Sequence, residues 1–480
     1  METLQRTANR GSISTASYEI DNSLKLERDN SENIYRQIID GNRRTWTSSL
    51  WVKRVDTATP SYNLFFNHGI YGVGTYLRFN NDDTLTAAIE YYGGGTSQVT
   101  NAKFRDTSAW MHIVWRVDTT QSTEADRSRI YINGAQITSF SSATYPSQNT
   151  ETLANHDHGG YDDVEFGYKD AGIYSNMYYA DVYHVDGQSL APTEFGEYDS
   201  ASGIWKPIEA DISDFGNNGF YLDFSNASSL GTDSAGNGSF TLSNVTAADQ
   251  ATDTPTNNFC TMNTNFKTSS SIVVSEGQTK ITCGSGTGWL SNVATFALTK
   301  GKWYYEVASV TSVYQIFGIA DASDDKIPQA SGGYYVGYGS DDTTLSVGMY
   351  MLNGQAYGNQ DGGSGVGIAP SAVGDIMSVC LDLDNLGFYI MRNGVSPSGS
   401  DPSSGSSLTG AFTWNDSIYS GYYYPAMSVF QNNALETNFG GYTSNPISSA
   451  ATDANGYGNF EYAPPSGYYA ICSQNLALYG

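Results

Sequence analysis

Apolar and polar residues alternate with a period of two in many short stretches of this chain, which is the pattern of a strand with one buried face. The clearest case is residues 110–118 (WMHIVWRVD), where one side carries Met111, Ile113, Trp115 and Val117. Sustained helical periodicity is rare. The alternation therefore predicts an all-β chain of many short strands arranged in sandwiches or barrels.

Tight turns join several of these stretches. Asn133-Gly134 lies inside RIYINGAQIT, and Asn393-Gly394 follows a second alternating stretch at residues 377–391. Asn-Gly tolerates the positive φ angles of a two-residue hairpin, so hairpins are predicted at both places. The one helix predicted is residues 31–39, from the helical spacing of Ile34, Tyr35, Ile38 and Ile39.

Composition excludes several classes of protein. Aromatic residues make up 13% of the 480 residues, which is too much apolar area for a disordered chain. A formal charge of −26 without a basic cluster argues against nucleic-acid partners. No stretch reaches the roughly 18 apolar residues of a membrane span, and the start METLQRTANRGSIS lacks the apolar core of a signal peptide. We therefore expect neither membrane insertion nor secretory export.

The four cysteines are too sparse for a disulfide scaffold and form no CxxC pair. They are predicted to be reduced and mostly buried, with a Cys260–Cys283 bridge as the alternative. Residues 199–266 are rich in Ser, Thr, Asn and Asp, which predicts a connector with some strand content at residues 220–224.

Two groups of carboxylate and imidazole side chains are candidates for glycoside hydrolysis or metal binding. Asp163 and Glu165 share one strand face, as in glucanases, but the further carboxylate expected beyond them is missing, so no catalytic residues are predicted. Histidine and aspartate are concentrated between residues 156 and 163, where a metal site is conceivable and an exposed polar hairpin loop is the alternative. The candidate ligands are His156, Asp157, His158, Asp162 and Asp163.

Tyrosine clusters are the candidate ligand-binding residues. A tyrosine offers a rigid apolar face and a hydroxyl, the combination that sugar and protein ligands use. The alternative is packing within a sheet or between subunits. The candidates are Tyr334, Tyr335, Tyr338, Tyr422 and Tyr423.

The order of these motifs resembles two β-sandwich families, and the resemblance implies two antiparallel β-sandwich (jelly-roll) domains. TWTSSLWVK, WMHIVWRVD, RIYINGAQIT and YADVYHVDGQSLAPTEF resemble LamG or concanavalin A-like lectin domains, and GKWYYEV, GDIMSVCLDL and the residues near Tyr424-Pro425-Ala426 resemble a SPRY domain. The resemblance implies an N-terminal arm at 1–12, a LamG-like sandwich at 13–200, a connector at 201–266, a SPRY-like sandwich at 267–445 and a C-terminal extension at 446–480. For the 156–163 loop it implies calcium as a possible ligand; no other cofactor is expected.

Together with the segments GFYLDFSNASSLGTDSAGNGSF and YAPPSGYYAICSQNL, the domain order resembles virion-associated proteins of marine bacteriophages. The resemblance implies a tail fibre, tail appendage or capsid fibre that assembles in the host cytoplasm and acts in adhesion to host surface glycans or in protein contacts. Implied partners are other virion proteins and further copies of the chain, most simply in a trimer. The alternatives are a purely structural decoration protein and a polysaccharide depolymerase.

Overall fold

A computed structural model describes residues 18–57, 63–70, 73–157, 163–169, 172–266, 271–285, 288–324, 327, 335–337, 345–358, 361–365, 371–414 and 419–480. The chain divides into two compact units between Thr256 and Asn257. Both units are built from antiparallel sheets, so the all-β prediction is confirmed. In the part of the chain that the structure describes, no helix is both long and apolar enough to cross a membrane.

Twenty strands occur among the described residues of the first unit. They are β1 Ser23–Leu26, β2 Asn33–Gln37, β3 Thr45–Arg54, β4 Asn63–Ile70, β5 Val73–Phe79, β6 Thr84–Tyr91, β7 Gly94–Lys103, β8 Met111–Asp118, β9 Ser128–Ile132, β10 Ala135–Gln136, β11 Phe140–Ala143, β12 Asp163–Phe166, β13 Tyr168–Lys169, β14 Ile173–Tyr174, β15 Met177–Asp186, β16 Gly196–Tyr198, β17 Trp205–Pro207, β18 Phe220–Leu222, β19 Thr241–Ser243 and β20 Gln250–Ala251. Short 3-10 helices lie at Glu124–Asp126, Pro192–Glu194 and Ala247–Asp249.

Two eight-stranded sheets form this sandwich. One has the order β10-β9-β8-β3-β15-β1-β20, with β18 also paired to β15, and the other has the order β11-β7-β6-β5-β4-β12-β2-β19. The inward side chains of the alternating strands fill the core, where the rings of Trp46 and Trp115 meet edge to face at 4.8 Å.

The predicted Asn-Gly hairpins are confirmed. Asn133 and Gly134 have φ angles of 48° and 77° and join β9 to β10, and Asn393 and Gly394 have 49° and 74°. The helix predicted at 31–39 is wrong, because residues 33–37 form β2, which pairs with β12 and β19. Two flanking strands supply hydrogen bonds on both edges, and this outweighs a short helical spacing.

The connector predicted at 201–266 differs from the structure, which builds residues up to 256 into the first sandwich. Strand β18 pairs with β15, β19 with β2, and β20 with β1. The acidic residues that suggested a solvated linker are instead buried partners of sheet cations. The ion pairs are Arg36–Asp233 at 3.1 Å, Lys25–Asp249 at 3.2 Å and Lys53–Asp253 at 2.6 Å.

The described residues of the second unit form fourteen strands and an α-helix, α1, at Ser473–Tyr479. A 3-10 helix lies at Pro402–Ser407. The strands are β21 Ile272–Ser275, β22 Lys280–Cys283, β23 Trp289–Val293, β24 Lys302–Ser309, β25 Gln315–Asp321, β26 Ser346–Tyr350, β27 Gln355–Gly358, β28 Asp361–Gly365, β29 Ile376–Asp382, β30 Gly387–Arg392, β31 Phe412–Thr413, β32 Tyr423–Phe430, β33 Ala434–Asn438 and β34 Tyr469–Ala470.

These strands form an eight-stranded sheet, β21-β22-β33-β24-β29-β30-β31 with β34 beside β24, and a six-stranded sheet, β23-β32-β25-β26-β27-β28. Apolar residues from both sheets share one core. All four cysteines are buried free thiols, so Cys260 and Cys283 are not bridged. Burial raises the pKa of Cys472 to about 12, which makes this thiol unreactive.

The residues after 445, predicted as a separate extension, are part of the second unit. Strand β34 pairs with β24, and Asp453 Oδ2 accepts hydrogen bonds from the Ala470 amide at 2.9 Å and from Asn475 Nδ2 at 2.7 Å. Residues 1–12, predicted as an arm, lie outside the described residues.

Glu306 on β24 fixes the path of this C-terminal segment. Its Oε1 accepts from Tyr304 OH at 3.0 Å and from the Tyr462 amide at 2.8 Å. Its Oε2 accepts from Asn438 Nδ2 at 3.1 Å and from the Glu461 amide at 3.0 Å. Each oxygen of the buried Glu306 carboxylate therefore accepts two hydrogen bonds, although burial raises the pKa of Glu306.

The chain is expected to separate into folded halves only when it is cut after Thr256. A fragment ending at residue 200 leaves the cations of Arg36 and Lys53 without these partners, and an unpaired buried charge costs about 3 to 5 kcal/mol. Calorimetry should show cooperative melting for 1–256 and for 257–480 but none for 1–200. Cooperative melting of the 1–200 fragment would contradict the ion-pair argument.

Glu306→Gln is expected to destabilise the second unit by about 3 kcal/mol, because its amide nitrogen would face two donors and leave them unsatisfied. Urea unfolding of full-length protein measures the change. Glu461→Gln is the matched control, since only the backbone amide of Glu461 contacts Glu306 while its side chain accepts from Ser448 at the surface. Equal midpoints for the two variants would argue against the role of Glu306.

Candidate functional site

Aromatic side chains gather on the outer face of the six-stranded sheet in the second unit. We call this set the Trp289 patch and define it as Trp289, Tyr314, Tyr335, Tyr350 and Phe430. The Trp289 ring lies 4.8 Å from Tyr335, 5.5 Å from Tyr350 and 5.4 Å from Phe430, and Phe430 lies 6.0 Å from Tyr314. Tyr314 is 44% exposed, and the other four are half-buried.

Strand register places these rings side by side. Trp289 on β23 is the direct partner of Phe430 on β32, and the Phe430 amide donates to the Tyr314 carbonyl at 3.1 Å. On the next strand pair, Ile316 is opposite Tyr350. Opposite residues of antiparallel strands point to the same face, so four strands deliver side chains to one surface.

A short segment that includes Tyr335 lies across the same face. The Val336 amide donates to Ser428 Oγ at 2.9 Å, and the Gly337 amide donates to Ser346 Oγ at 2.7 Å. A Cβ atom at Gly348 would come within 2.8 Å of Val336 Cγ1, so the glycine makes room for this segment. The segment thereby brings Tyr335 against Trp289.

Polar groups that form hydrogen bonds border the patch. Asn353 Nδ2 donates to Gln355 Oε1 at 3.0 Å and to Tyr357 OH at 2.8 Å, and Tyr357 OH donates to Gln355 Oε1 at 2.9 Å. Gln355 is opposite Tyr350 in the sheet. Burial, together with Tyr314 and Tyr357, raises the pKa of Tyr350, so its hydroxyl stays protonated at neutral pH.

The structure brings one of the predicted tyrosines, Tyr335, into the patch. Tyr422 is 43% exposed. The interpretation of Tyr423 as a ligand-binding residue is wrong, because it points inward from β32 into the shared core and is 2% exposed. Tyr334 and Tyr338 lie outside the described residues. Sequence reasoning missed Tyr314, which immediately precedes β25, and Trp289, Tyr350 and Phe430, which belong to three separate strands.

The predicted metal ligands are only partly within the described residues. His156 Nδ1 contacts Asp40 Oδ1 at 2.9 Å, and its Nε2 lies 3.2 Å from Tyr92 OH. The Asp157 amide also donates to Asp40, whereas Asp163 lies on β12. His158 and Asp162 lie outside the described residues, and no cluster of three metal-ligating side chains occurs among those that are described.

Two further groups of carboxylates are relevant to glycoside hydrolysis, one on β12 and one in a pocket of the second unit. Asp163 and Glu165 share the less buried face of β12, as predicted, and Glu165 accepts from Asn33 Nδ2 at 2.6 Å. Glu306, Glu436 and Glu461 line a pocket on the second unit with room for about one water molecule. Glu436 is paired with Lys280 at 3.5 Å. This pocket is too small for a sugar ring.

Comparison with known proteins supports the sandwich architecture. Residues 29–174 match the concanavalin A-like lectin/glucanases superfamily. A 150-residue stretch is 33% identical to the E3 ubiquitin-protein ligase RKP of Arabidopsis thaliana. That stretch is 31% of this chain and 10% of the plant protein, so this chain spans only about a tenth of that relative.

Among solved structures, SPRY domains are similar to part of this chain. The SPRY domain of human HERC1 matches 37% of this chain and 96% of its own, with 13% identity and a TM-score of 0.27. The TRIM65 PSpry domain matches 38% of this chain and 92% of its own, with 12% identity and a TM-score of 0.28.

Two serine–histidine pairs are buried in the first unit, a feature that sequence reasoning missed. Ser48 Oγ lies 2.9 Å from His184 Nδ1, and His184 Nε2 lies 3.0 Å from Asn155 Oδ1, the order of groups in a nucleophile, base and orienting residue. Ser48 and His184 are at most 1% exposed. A substrate cannot reach these groups, so the arrangement stabilises the fold.

The second pair has a fixed tautomer. Trp205 Nε1 donates to His112 Nδ1 at 2.9 Å, so the ring proton lies on Nε2 and donates to Ser49 Oγ at 2.8 Å. A histidine in this state cannot take a proton from serine. The ring of Trp51 stacks on His112 with centroids 4.7 Å apart, and burial lowers the pKa of His112 to about 3.

The stability of the first unit is expected to depend on the neutral form of His112. Because its folded pKa lies below the ordinary value of about 6.5, the contribution is complete above that pH and is lost as the pH falls toward 3. The loss is on the order of 4 kcal/mol. Urea unfolding of wild type and His112→Gln from pH 7 to 3 should show a decline that is steeper in wild type by this amount, since protonation of carboxylates destabilises both proteins.

His156→Gln is the control, since the His156 side chain is partly exposed and contacts the exposed Asp40. This variant should retain the decline of the wild type. An equally steep decline in His112→Gln would assign the pH dependence to other groups.

Proposed function

We propose that this chain is a non-enzymatic bacteriophage virion protein that binds glycans on the host surface. The virion assignment is supported by the resemblance of the domain order and of the connecting and C-terminal segments. The binding role is carried by the Trp289 patch, where five aromatic residues meet on one sheet face beside a carboxamide and hydroxyl network. Rings next to amides are the groups that orient a sugar.

A binding role fits the chemistry of the described carboxylates better than hydrolysis does. Glu306 is fully used as a hydrogen-bond acceptor, and the serine–histidine pairs are closed to solvent. The Trp289 patch, in contrast, has an exposed ring at Tyr314. Glycosidases need two carboxyl groups on opposite sides of a bound sugar, and the patch residues include none.

We also propose that the protein acts as a symmetric oligomer, most simply a trimer, attached to other virion proteins. Exposed apolar side chains support this, among them Val273 at 50% and Leu478 at 67% exposure. Closed homo-oligomers are the usual way to cover such surface. Assembly would take place in the host cytoplasm, and the mature location would be the virion.

Purified protein should bind discrete glycans on an array of bacterial and algal polysaccharides. Tyr314→Ser should weaken that binding at least tenfold, since an exposed aromatic anchor contributes more than about 1.4 kcal/mol when a ligand covers it. Val395→Ser is the control, because it removes an exposed apolar group from the other sheet of the same unit.

Absence of binding to any glycan would contradict the adhesion proposal and leave a structural decoration role. Binding that survives in Tyr314→Ser but is lost in Tyr422→Ser would move the site to the exposed tyrosine beside β32. Release of reducing sugar by the wild-type protein would contradict the non-enzymatic assignment.

A further inference from the structure

We infer that the Trp289 patch binds an uncharged oligosaccharide. This inference rests on the proposed function and specifies its ligand. The chain as a whole carries a formal charge of −26. The described side chains that build and border the patch contribute rings, hydroxyls and carboxamides, with no Asp, Glu, Lys or Arg among them. They are Trp289, Tyr314, Tyr335, Tyr350, Phe430, Asn353, Gln355 and Tyr357.

Charge decides between ligand classes at such a surface. An ionised ligand that loses water on binding needs a counter-charge, because an unpaired charge at a desolvated site is costly. Sulfated and uronic-acid glycans would also be repelled by the acidic chain as a whole. A neutral sugar has neither cost, and its hydroxyl groups both donate and accept hydrogen bonds.

The border of the patch offers suitable partners for hydroxyl groups. Within the Asn353–Gln355–Tyr357 network, Gln355 accepts through Oε1 from both neighbours. The Gln355 backbone amide donates to Asn353 Oδ1 at 3.0 Å. The Gln355 Nε2 donors are not used by the described residues, so they are available to a ligand beside Tyr350.

The extent of the patch indicates more than one sugar ring. Tyr314, Phe430, Trp289 and Tyr335 form a continuous path of ring contacts at centroid distances of 6.0, 5.4 and 4.8 Å. A single pyranose covers roughly one aromatic ring. The path therefore fits a short oligosaccharide whose apolar faces lie on successive rings, with Gln355 at its side.

The test compares neutral and acidic probes on the full-length protein. Tryptophan fluorescence is titrated with maltohexaose, cellohexaose and mannohexaose, and in parallel with dextran sulfate and polygalacturonate, at 50 and 500 mM NaCl. We expect at least one neutral hexasaccharide to bind, with an affinity that changes less than twofold with salt. Tyr314→Ser and Gln355→Ala should each weaken it at least tenfold, and Val395→Ser should leave it unchanged.

Three results would overturn the inference. Binding to acidic probes alone, with loss of affinity at high salt, would show that the ligand is charged, while the adhesion proposal would stand. Loss of oligomerisation in Tyr314→Ser by light scattering, with no neutral probe bound by wild type, would assign the patch to contacts between copies of the chain. Absence of binding to every probe and to every glycan on the array would contradict both proposals.

Discussion

The ammonium group of Lys53 lies inside the first unit and is neutralised by Asp253, which is 200 residues further along the chain. Lys25 and Arg36 are likewise paired with Asp249 and Asp233. A buried charge is tolerated only when its partner is held in place, so the segment after residue 200 must fold onto the sheets for the sheets to be stable. These ion pairs join the predicted sandwich and the residues up to 256, which composition alone predicts to be a linker, in one cooperative unit.

The second unit also buries a charge, but this charge is negative. Glu306 lies on the central strand β24 and takes its donors from the segment that follows the sandwich strands. In both units a late segment of the chain supplies the groups that satisfy a charge buried in early strands. The aromatic side chains of the Trp289 patch take no part in these contacts with a buried charge. We propose that they bind a ligand.

Local patterns were sufficient for part of this architecture. The strand at 110–118 and the Asn-Gly hairpins follow from period-two alternation and positive φ angles, which act over a few residues. The inclusion of residues 201–256 in the first sandwich and the inward position of Tyr423 could not be predicted this way. The first depends on distant ion-pair partners, and the second on which face of β32 turns inward. The same holds for the Trp289 patch, because strand register unites residues as distant as 289 and 430.

The pairing of β1 with β20 brings the two ends of the first sandwich together, with Ser23 opposite Ala251. A pull on the flanking chain at these ends would peel the two strands apart one residue at a time instead of shearing several hydrogen bonds at once. Side chains oppose this peeling, since Ser23 Oγ donates to the Asp253 carbonyl at 2.7 Å and the Ile20 amide donates to Thr256 Oγ1 at 3.0 Å. If the chain tethers a particle to a host cell, as we propose, mechanical load would be borne by the contacts between β1 and β20 before it reached the core.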